Sequence, residues 1–206
     1  MYSQIDEEKV ILDYYKIIKS KNGLKFSNKI LDIGANDGET LSNTRGLIIE
    51  YPEIVGYFVE PNPESFEKLQ KLYYKNHNLY NFAISDVDGK LEMYCNGSHI
   101  TDNDRGLLST LIYSETERWQ DEKWEKKIVD SKKYPFHDVN FDFISIDAEG
   151  MDEIILSQID LSNTHILCIE WNSIEERKKN IDEYCQKFSM SILHQNSTNL
   201  IYKNES

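Results

Sequence analysis

Apolar residues follow two different spacings along this chain. Near the N-terminus they recur at the interval of one helix face, which predicts a helix over residues 5–19. Further on, short apolar runs rich in Val, Ile and Phe are separated by amphipathic segments. The runs are typical of buried strands and the segments of helices. The strands are predicted at 29–35, 55–60, 79–85, 90–94, 143–146, 164–171, 190–194 and 200–202, and further helices at 38–50, from 63, from 151 and at 173–188.

Turn signals indicate how some of these strands are joined. Asp88-Gly89 predicts a tight turn that pairs strand 79–85 with strand 90–94. The short polar stretch 195–199 predicts a second hairpin at the C-terminal end. Strands that alternate with helices form mostly parallel sheets covered on both faces. The sequence therefore predicts an α/β fold with a doubly wound, mostly parallel sheet and a C-terminal antiparallel hairpin.

The 206 residues are most simply one domain, 1–206, that begins with an N-terminal helical segment over 1–27. Residues 96–138 are polar and poorly periodic, with Trp119 and Trp124 in a charged segment interpreted as helical. We interpret 96–138 as an insertion or lid over the edge of the sheet that carries the active site.

Charge and composition limit the function. The formal net charge of −13 would repel a phosphate backbone, so a nucleic-acid partner is not expected. No apolar run approaches about 18 residues, and the acidic start lacks a signal-peptide core, so we expect a cytoplasmic protein without a membrane span. Lysines cluster at Lys123, Lys126, Lys127, Lys132 and Lys133. The cluster could bind a phosphorylated or sugar-nucleotide substrate, or it could be an ordinary solvated surface, which we favour.

Two carboxylates follow the apolar strand at 143–146, namely Asp147 and Glu149. Ligands bind outside the carboxyl ends of strands in open α/β sheets, so this pair is a candidate for chemistry. Their spacing puts both on one side if the strand geometry persists. The alternative is structural, with Glu149 accepting hydrogen bonds from loop amides and Asp147 capping the next helix.

A glycine motif, Ile30-Leu31-Asp32-Ile33-Gly34-Ala35-Asn36-Asp37-Gly38, spans the first predicted strand and the turn after it. Its pattern is G-x-N-x-G rather than the G-x-G-x-x-G of dinucleotide-binding turns, so the motif does not indicate binding of a pyrophosphate. Asp32 suits an ammonium group instead, and Glu60 ends the second strand, where an acid can bind ribose hydroxyls. An adenosine that carries an amino acid and no phosphates is S-adenosylmethionine. The alternative is that both acids only cap turns.

These motifs resemble those of the FkbM-type S-adenosylmethionine-dependent methyltransferases. The resemblance spans residues 28–172 and rests on 30–38, on Val59-Glu60-Pro61-Asn62-Pro63, on 81–85 with Asp88-Gly89, and on Ile146-Asp147-Ala148-Glu149-Gly150 followed by 154–156. It implies a Rossmann-like class I methyltransferase fold and methylation of a hydroxyl oxygen on a sugar, glycan or small molecule. The cofactor-binding residues that it implies are Asp32, Gly34, Asn36, Asp37, Gly38, Glu60, Pro61, Ala83, Ile84 and Asp147.

A hydroxyl acceptor needs a base, and Asp147 is the first candidate and Glu149 the second. The same pair suits Mg²⁺ or Mn²⁺. Metal use is possible but not favoured, because no third ligand is evident by spacing, although Glu170 and Asn172 end the next strand. Alternative bases are His99 and His137. A sugar-stacking wall is open for Tyr113, Trp119, Trp124 and Tyr134, although we favour the interpretation that they only pack the insertion down. Ser109 and Thr110 either form a hydrogen bond with substrate or end a turn.

Two other functions remain open at this point. One is a module that binds S-adenosylmethionine without catalysis. The other is a methyltransferase that acts on a protein or nucleic acid, which the acidic charge disfavours for RNA and DNA.

Overall fold

The structure is a computed structural model that describes residues 2–73, 75–96, 107–118 and 123–204. Its helices are α1 (Glu7–Lys19), α2 (Arg45–Glu50), α3 (Pro63–Tyr73), α4 (Tyr113–Thr116), α5 (Asp152–Leu156) and α6 (Glu175–Gln186). Its strands are β1 (Lys29–Ile33), β2 (Val55–Val59), β3 (Asn78–Tyr80), β4 (Ala83–Ile84), β5 (Gly89–Cys95), β6 (Glu125–Lys132), β7 (Phe143–Ile146), β8 (Ile166–Glu170), β9 (Met190–Gln195) and β10 (Asn199–Asn204).

Seven strands form the main sheet in the order β3-β2-β1-β7-β8-β10-β9. The first five are parallel, and β10 runs antiparallel to both β8 and β9. This confirms the predicted doubly wound sheet and its C-terminal hairpin. Because β1 lies between β2 and β7, the residues that follow these strands meet at one edge.

Alternating residues of the central strands face two separate cores. Phe143 and Ile166 pack in the core that contains α1, α2 and α3, whereas Ile144 and Leu167 pack in the core that contains α5 and α6. Burial on both faces explains why these strands appear in the sequence as continuous apolar runs. None of the described helices has the length and apolar character needed to cross a membrane.

The predicted strand 79–85 is two strands in different sheets. β3 pairs with β2, whereas β4 belongs to a second sheet of order β4-β6-β5. The hairpin predicted at Asp88-Gly89 is wrong, because β6 lies between β4 and β5 and pairs antiparallel with β5. Most residues of β6 are charged and point outward, with only Val129 and Ser131 buried. Its strand character was therefore hidden in the sequence. The helix expected around Trp119 and Trp124 is not found at Trp124, and Trp119 lies outside the described residues.

The helix predicted at 38–50 is also wrong at its start, because α2 begins at Arg45. Asp37 accepts hydrogen bonds from the backbone of Glu39 and Thr40 and from the Thr40 hydroxyl. Such local side-chain bonds compete with a helix for the backbone groups. The start of α3 is as predicted, with Pro63 in the first position and Asn62 Oδ1 accepting from the Glu64 amide at 3.2 Å.

Candidate functional site

A cavity of about 260 Å³ opens at the carboxyl edge of β1, β2, β7 and β8. Its volume is near the lower end of the range, roughly 300–1,000 Å³, of small-molecule sites. Residues from both sheets and from the N-terminal segment form its walls. The predicted site residues that line it are Asp32, Gly34, Asn36, Glu60, Pro61, Ala83, Ile84, Asp147 and Glu149.

The turn after β1 brings the backbone against the neighbouring strand. Gly34 has a φ of 82°, in the left-handed region. A β-carbon built on Gly34 would lie 1.7 Å from the carbonyl oxygen of Asp147, so no other residue fits there without backbone movement. The Gly34 and Ala35 amides both donate to the carbonyl oxygen of Val59, which ties this turn to β2.

Polar groups with few partners lie beside this turn. The side-chain amide of Asn36 is buried, and neither its nitrogen nor its oxygen has a hydrogen-bond partner. Asp32 accepts a hydrogen bond of 2.6 Å from the hydroxyl of Thr44. Burial raises the pKa of Asp32 to about 6, although that hydrogen bond opposes the shift. Both residues are therefore suited to a cationic, hydrogen-bonding ligand.

Glu60 joins two loops. Its Oε2 accepts from the Asn36 amide at 2.8 Å and its Oε1 from the Asn62 amide at 2.7 Å. Burial raises the pKa of the Glu60 carboxyl to about 7, although these backbone hydrogen bonds oppose the shift. Each carboxylate oxygen can accept a further hydrogen bond. Glu60 is thus a loop anchor that also lines the cavity.

Two members of the glycine motif lie away from the cavity wall. Asp37 holds the turn described above. A β-carbon on Gly38 would lie 2.7 Å from side-chain atoms of Leu69 and Tyr73, so this glycine allows α3 to pack closely. The structure gives both residues a packing or turn role, and their predicted contact with a cofactor stays a prediction.

Part of the cavity lining is apolar. Ala83 and Ile84 of β4 are buried there with Met93 of β5. Leu108 and Leu111, from the predicted insertion, extend this wall. The wall is suited to a flat aromatic base such as adenine, and the resemblance implies that Ala83 and Ile84 contact the cofactor.

Three carboxylates converge at the ends of β7 and β8. Oxygen atoms of Asp147, Glu149 and Glu170 all lie within 4.8 Å of one another. Burial raises the pKa of Asp147 to about 7, and the charges of Asp152 and Asp32 add to the shift. Burial, followed by the charge of Asp147, raises the pKa of both Glu149 and Glu170 well above the usual range. Such a cluster binds protons or other cations at neutral pH.

The loop amides beside this cluster bind a different acid. Asp152 accepts from the Ala148 amide at 2.9 Å and from the Gly150 amide at 3.0 Å. The structural role that the sequence left open for Glu149 and Asp147 therefore belongs to Asp152. Within the described part of the chain, neither the Asp147 nor the Glu149 carboxylate has a hydrogen-bond partner.

The described segment 107–118 contributes a threonine and an arginine to the site. The Thr110 hydroxyl donates to the backbone carbonyl of Glu149 at 2.7 Å, so Thr110 anchors the loop that follows β7. Arg118 lines the cavity and forms an ion pair of 2.8 Å with Glu115. The hydrogen bond to substrate considered for Thr110 is thus replaced by one to the protein, while Ser109 lines the cavity.

Several aromatic and basic candidates lie elsewhere. Tyr134 is buried in the core, Tyr113 is 63% exposed, and neither they nor Trp124 line the cavity. For these three residues the structure does not support the stacking wall, which was the less favoured alternative. His137 is exposed and packs on Tyr134. His99 and Trp119 lie outside the described residues. In the lysine cluster, Lys126 and Lys127 pair with Glu92 and Glu64, away from the cavity.

Sequence reasoning missed several residues that line or support the site. Thr44 and Asn43 precede α2 inside a segment that was predicted to be helical. Gln4 and Asn199 come from opposite ends of the chain and meet at the cavity. For Asp152 the sequence predicted only an acid in the first turn of a helix, and not its hydrogen bonds to the loop amides. No local pattern marks the others, because their place depends on which strands become neighbours.

The chain matches the family described as Methyltransferase FkbM domain over residues 32–196. No match was found among curated proteins. Among solved structures, the human methyltransferase 10 domain containing protein is similar with a TM-score of 0.51 at 8% identity, covering 99% of this chain and 83% of that chain. This likeness shows the fold, and it confirms the predicted Rossmann-like methyltransferase sheet.

Two further solved structures have lower scores. TrmK from M. capricolum, in complex with S-adenosyl-homocysteine, has a TM-score of 0.47 at 11% identity, covering 100% of this chain and 70% of that chain. Precorrin-6y C5,15-methyltransferase from Geobacter metallireducens has a TM-score of 0.45 at 11% identity, covering 94% of this chain and 88% of that chain.

Proposed function

The chain belongs to the FkbM methyltransferase family, and on that premise we propose that it transfers a methyl group from S-adenosylmethionine to a hydroxyl oxygen of a sugar, glycan or small-molecule acceptor. The methyltransferase class rests on the family. The cofactor, the acceptor and the roles of individual residues rest on the chemistry of the cavity.

The residues of the cavity fit this cofactor. The unpartnered amide of Asn36 and the carboxylate of Asp32 suit the ammonium and carboxylate of a methionine moiety. Glu60 has free lone pairs for ribose hydroxyls. Ala83, Ile84 and Met93 offer an apolar face for adenine. The cofactor supplies an activated methyl group on a sulfonium, and the chain's own residues must bind, orient and deprotonate the acceptor.

One observation carries the assignment to a hydroxyl acceptor. The carboxylate of Asp147 lies in the cavity without a hydrogen-bond partner among the described residues, and burial raises its pKa to about 7. A base with a pKa near the working pH is best suited to take a proton from a hydroxyl as the new bond forms. Asp147 is therefore the proposed base, and Asp152 holds the loop that positions it.

The charge of the site supports a small or carbohydrate acceptor. Five acids line the cavity, namely Asp32, Glu60, Asp147, Glu149 and Glu170, and Arg118 is the one cationic side chain among its described lining residues. Together with the net charge of −13, those of the five acids that are ionised at neutral pH oppose the approach of a phosphate backbone. A neutral hydroxyl compound meets no such barrier.

The test is a methyl-transfer screen with labelled S-adenosylmethionine over glycans, free sugars, sugar nucleotides and hydroxylated small molecules. Proteins and RNA are included as competing acceptor classes. We expect label on an oxygen of a carbohydrate or small molecule. Label only on RNA or protein would contradict the acceptor assignment. Binding of the cofactor with no transfer to any class would favour a module without catalysis.

A further inference from the structure

We propose that Asp147, Glu149 and Glu170 bind a divalent cation, of the kind of Mg²⁺ or Mn²⁺, at the wall of the cavity. This site rests on the proposed function only for its role. A cation bound to one oxygen of Asp147 would lower the pKa of an acceptor hydroxyl and leave the other oxygen to accept its proton. Its existence rests on the geometry of the described side chains.

The distances between the carboxylates suit one ion. Oxygens of the three side chains all lie within 4.8 Å of one another. Oxygens that share one Mg²⁺ at about 2.0–2.1 Å lie at most about 4.2 Å apart, and those that share Ca²⁺ lie up to about 5 Å apart. Small rotations of the side chains would therefore bring all three oxygens around a single ion.

A second, independent observation comes from the neighbouring strand. Asn199 of β10 lies directly opposite Glu170 of β8 in the antiparallel register, and it lines the same cavity. It is 2% exposed, and its Oδ1 has no hydrogen-bond partner. Its Nδ2 donates to Glu7 at 2.9 Å, which fixes the amide so that the oxygen is the unpartnered atom.

Glu170 adds a further unpartnered oxygen. Its side chain is 4% exposed, and Oε2 has no hydrogen-bond partner. Two buried acceptors on adjacent strands, together with the carboxylates of Asp147 and Glu149, need a donor or a cation to offset their lost hydration. Oxygen-only ligands select hard divalent ions rather than soft metals.

Arg118 is the one cation among the described lining residues, and its charge acts on both Glu149 and Glu170. It also pairs with Glu115, as does Arg177, so one shared guanidinium does not offset three carboxylates. The proposed cofactor would bring an ammonium, which Asp32 and Asn36 suit, and a sulfonium, whose single positive charge offsets at most one of the three carboxylates. The carboxylates at the ends of β7 and β8 therefore exceed what the cofactor can neutralise.

The test measures Mn²⁺ binding to the whole, chelator-treated protein by calorimetry and by electron paramagnetic resonance. We expect one Mn²⁺ per chain with competition by Mg²⁺. Glu170→Gln should weaken binding at least tenfold, whereas Glu176→Gln, the same change at an exposed position of α6, should bind as the unaltered chain does. Circular dichroism checks that the variants fold, and Glu149→Gln replaces Glu170→Gln if that variant does not.

Two results would overturn the site. One is no Mn²⁺ binding at millimolar concentration, and the other is unchanged binding in the glutamine variant. Calorimetry with S-adenosylmethionine on the same samples separates this proposal from the proposed function. Cofactor binding without Mn²⁺ binding refutes the metal site alone, and Mn²⁺ binding without cofactor binding refutes the methyltransferase assignment alone.

Discussion

The backbone of Gly34 lies directly against the carbonyl oxygen of Asp147, so closely that a β-carbon on Gly34 would be 1.7 Å from that oxygen. The contact joins the turn after β1, which carries the proposed cofactor residues, to the start of the loop that carries the proposed base. These two parts of the site therefore cannot move independently.

Replacement of Gly34 by alanine should disrupt both parts. The left-handed φ and the contact with a carbonyl oxygen together should lower the free energy of unfolding by about 3 kcal/mol or more. Affinity for S-adenosylmethionine should fall as well. Urea unfolding and calorimetry measure the two effects.

Gly23→Ala is the matched control for this change. Gly23 has a φ of 94°, but nothing lies within 4 Å of a β-carbon there. It should cost only about 1 kcal/mol for the left-handed backbone. Equal losses in the two variants would show that the contact with Asp147 contributes nothing.

Replacement of Asp147 by asparagine removes the proposed base with little change in shape. We expect kcat to fall by about 10²- to 10⁴-fold on an acceptor identified by the screen. The variant should remain folded by circular dichroism. Asp138→Asn, the same change at an exposed position, should keep its activity. Full turnover by the Asp147 variant would exclude it as the base.

The buried acids predict an unusual dependence of stability on pH. The pKa values of Asp32, Glu60 and Asp147 are raised to about 6, 7 and 7 in the folded chain, against roughly 4 when unfolded. Between pH 4 and 7 the folded state binds more protons, so the free energy of unfolding should fall as pH rises. One such group changes it by up to about 1.4 kcal/mol per pH unit.

Urea unfolding of the ligand-free chain at pH 5 and pH 7.5 measures this slope. Asp147→Asn should flatten it, because one of the titrating groups is gone. Stability that rises with pH over this window would contradict the raised pKa values.

Replacement of Glu60 by glutamine should loosen the loops that follow β1 and β2. A glutamine side chain has one acceptor oxygen, so it can bind only one of the two amides, Asn36 or Asn62, that the carboxylate binds. The expected cost is about 1–3 kcal/mol in unfolding free energy, with weaker binding of S-adenosylmethionine. Thermal unfolding and calorimetry measure the two.

Glu50→Gln, at the exposed end of α2, should leave both quantities unchanged. If Glu60→Gln keeps stability but loses cofactor affinity, Glu60 is a ligand contact and not a loop anchor. If it keeps both, the proposed role of Glu60 is wrong.

Much of the fold could be predicted from the sequence because the central strands are buried on both faces. That burial requires the apolar runs at 30–33, 143–146 and 166–169. The glycine turn comes immediately after the first of these runs in the chain, and Asp147 comes immediately after the second. The C-terminal hairpin could also be predicted, because its two strands are joined by the short stretch 195–199. Each of these features depends on residues that are close together in the chain.

Pairing between distant segments was decided only by the tertiary structure. β6 has a charged outer face and becomes a strand because it fits between β4 and β5, which no local pattern indicates. The meeting of Glu170 with Asp147 and Glu149, and of Asn199 with Glu170, depends on β8 lying between β7 and β10. The sequence determined the two carboxylates after β7, whereas strand order decided that a third joins them.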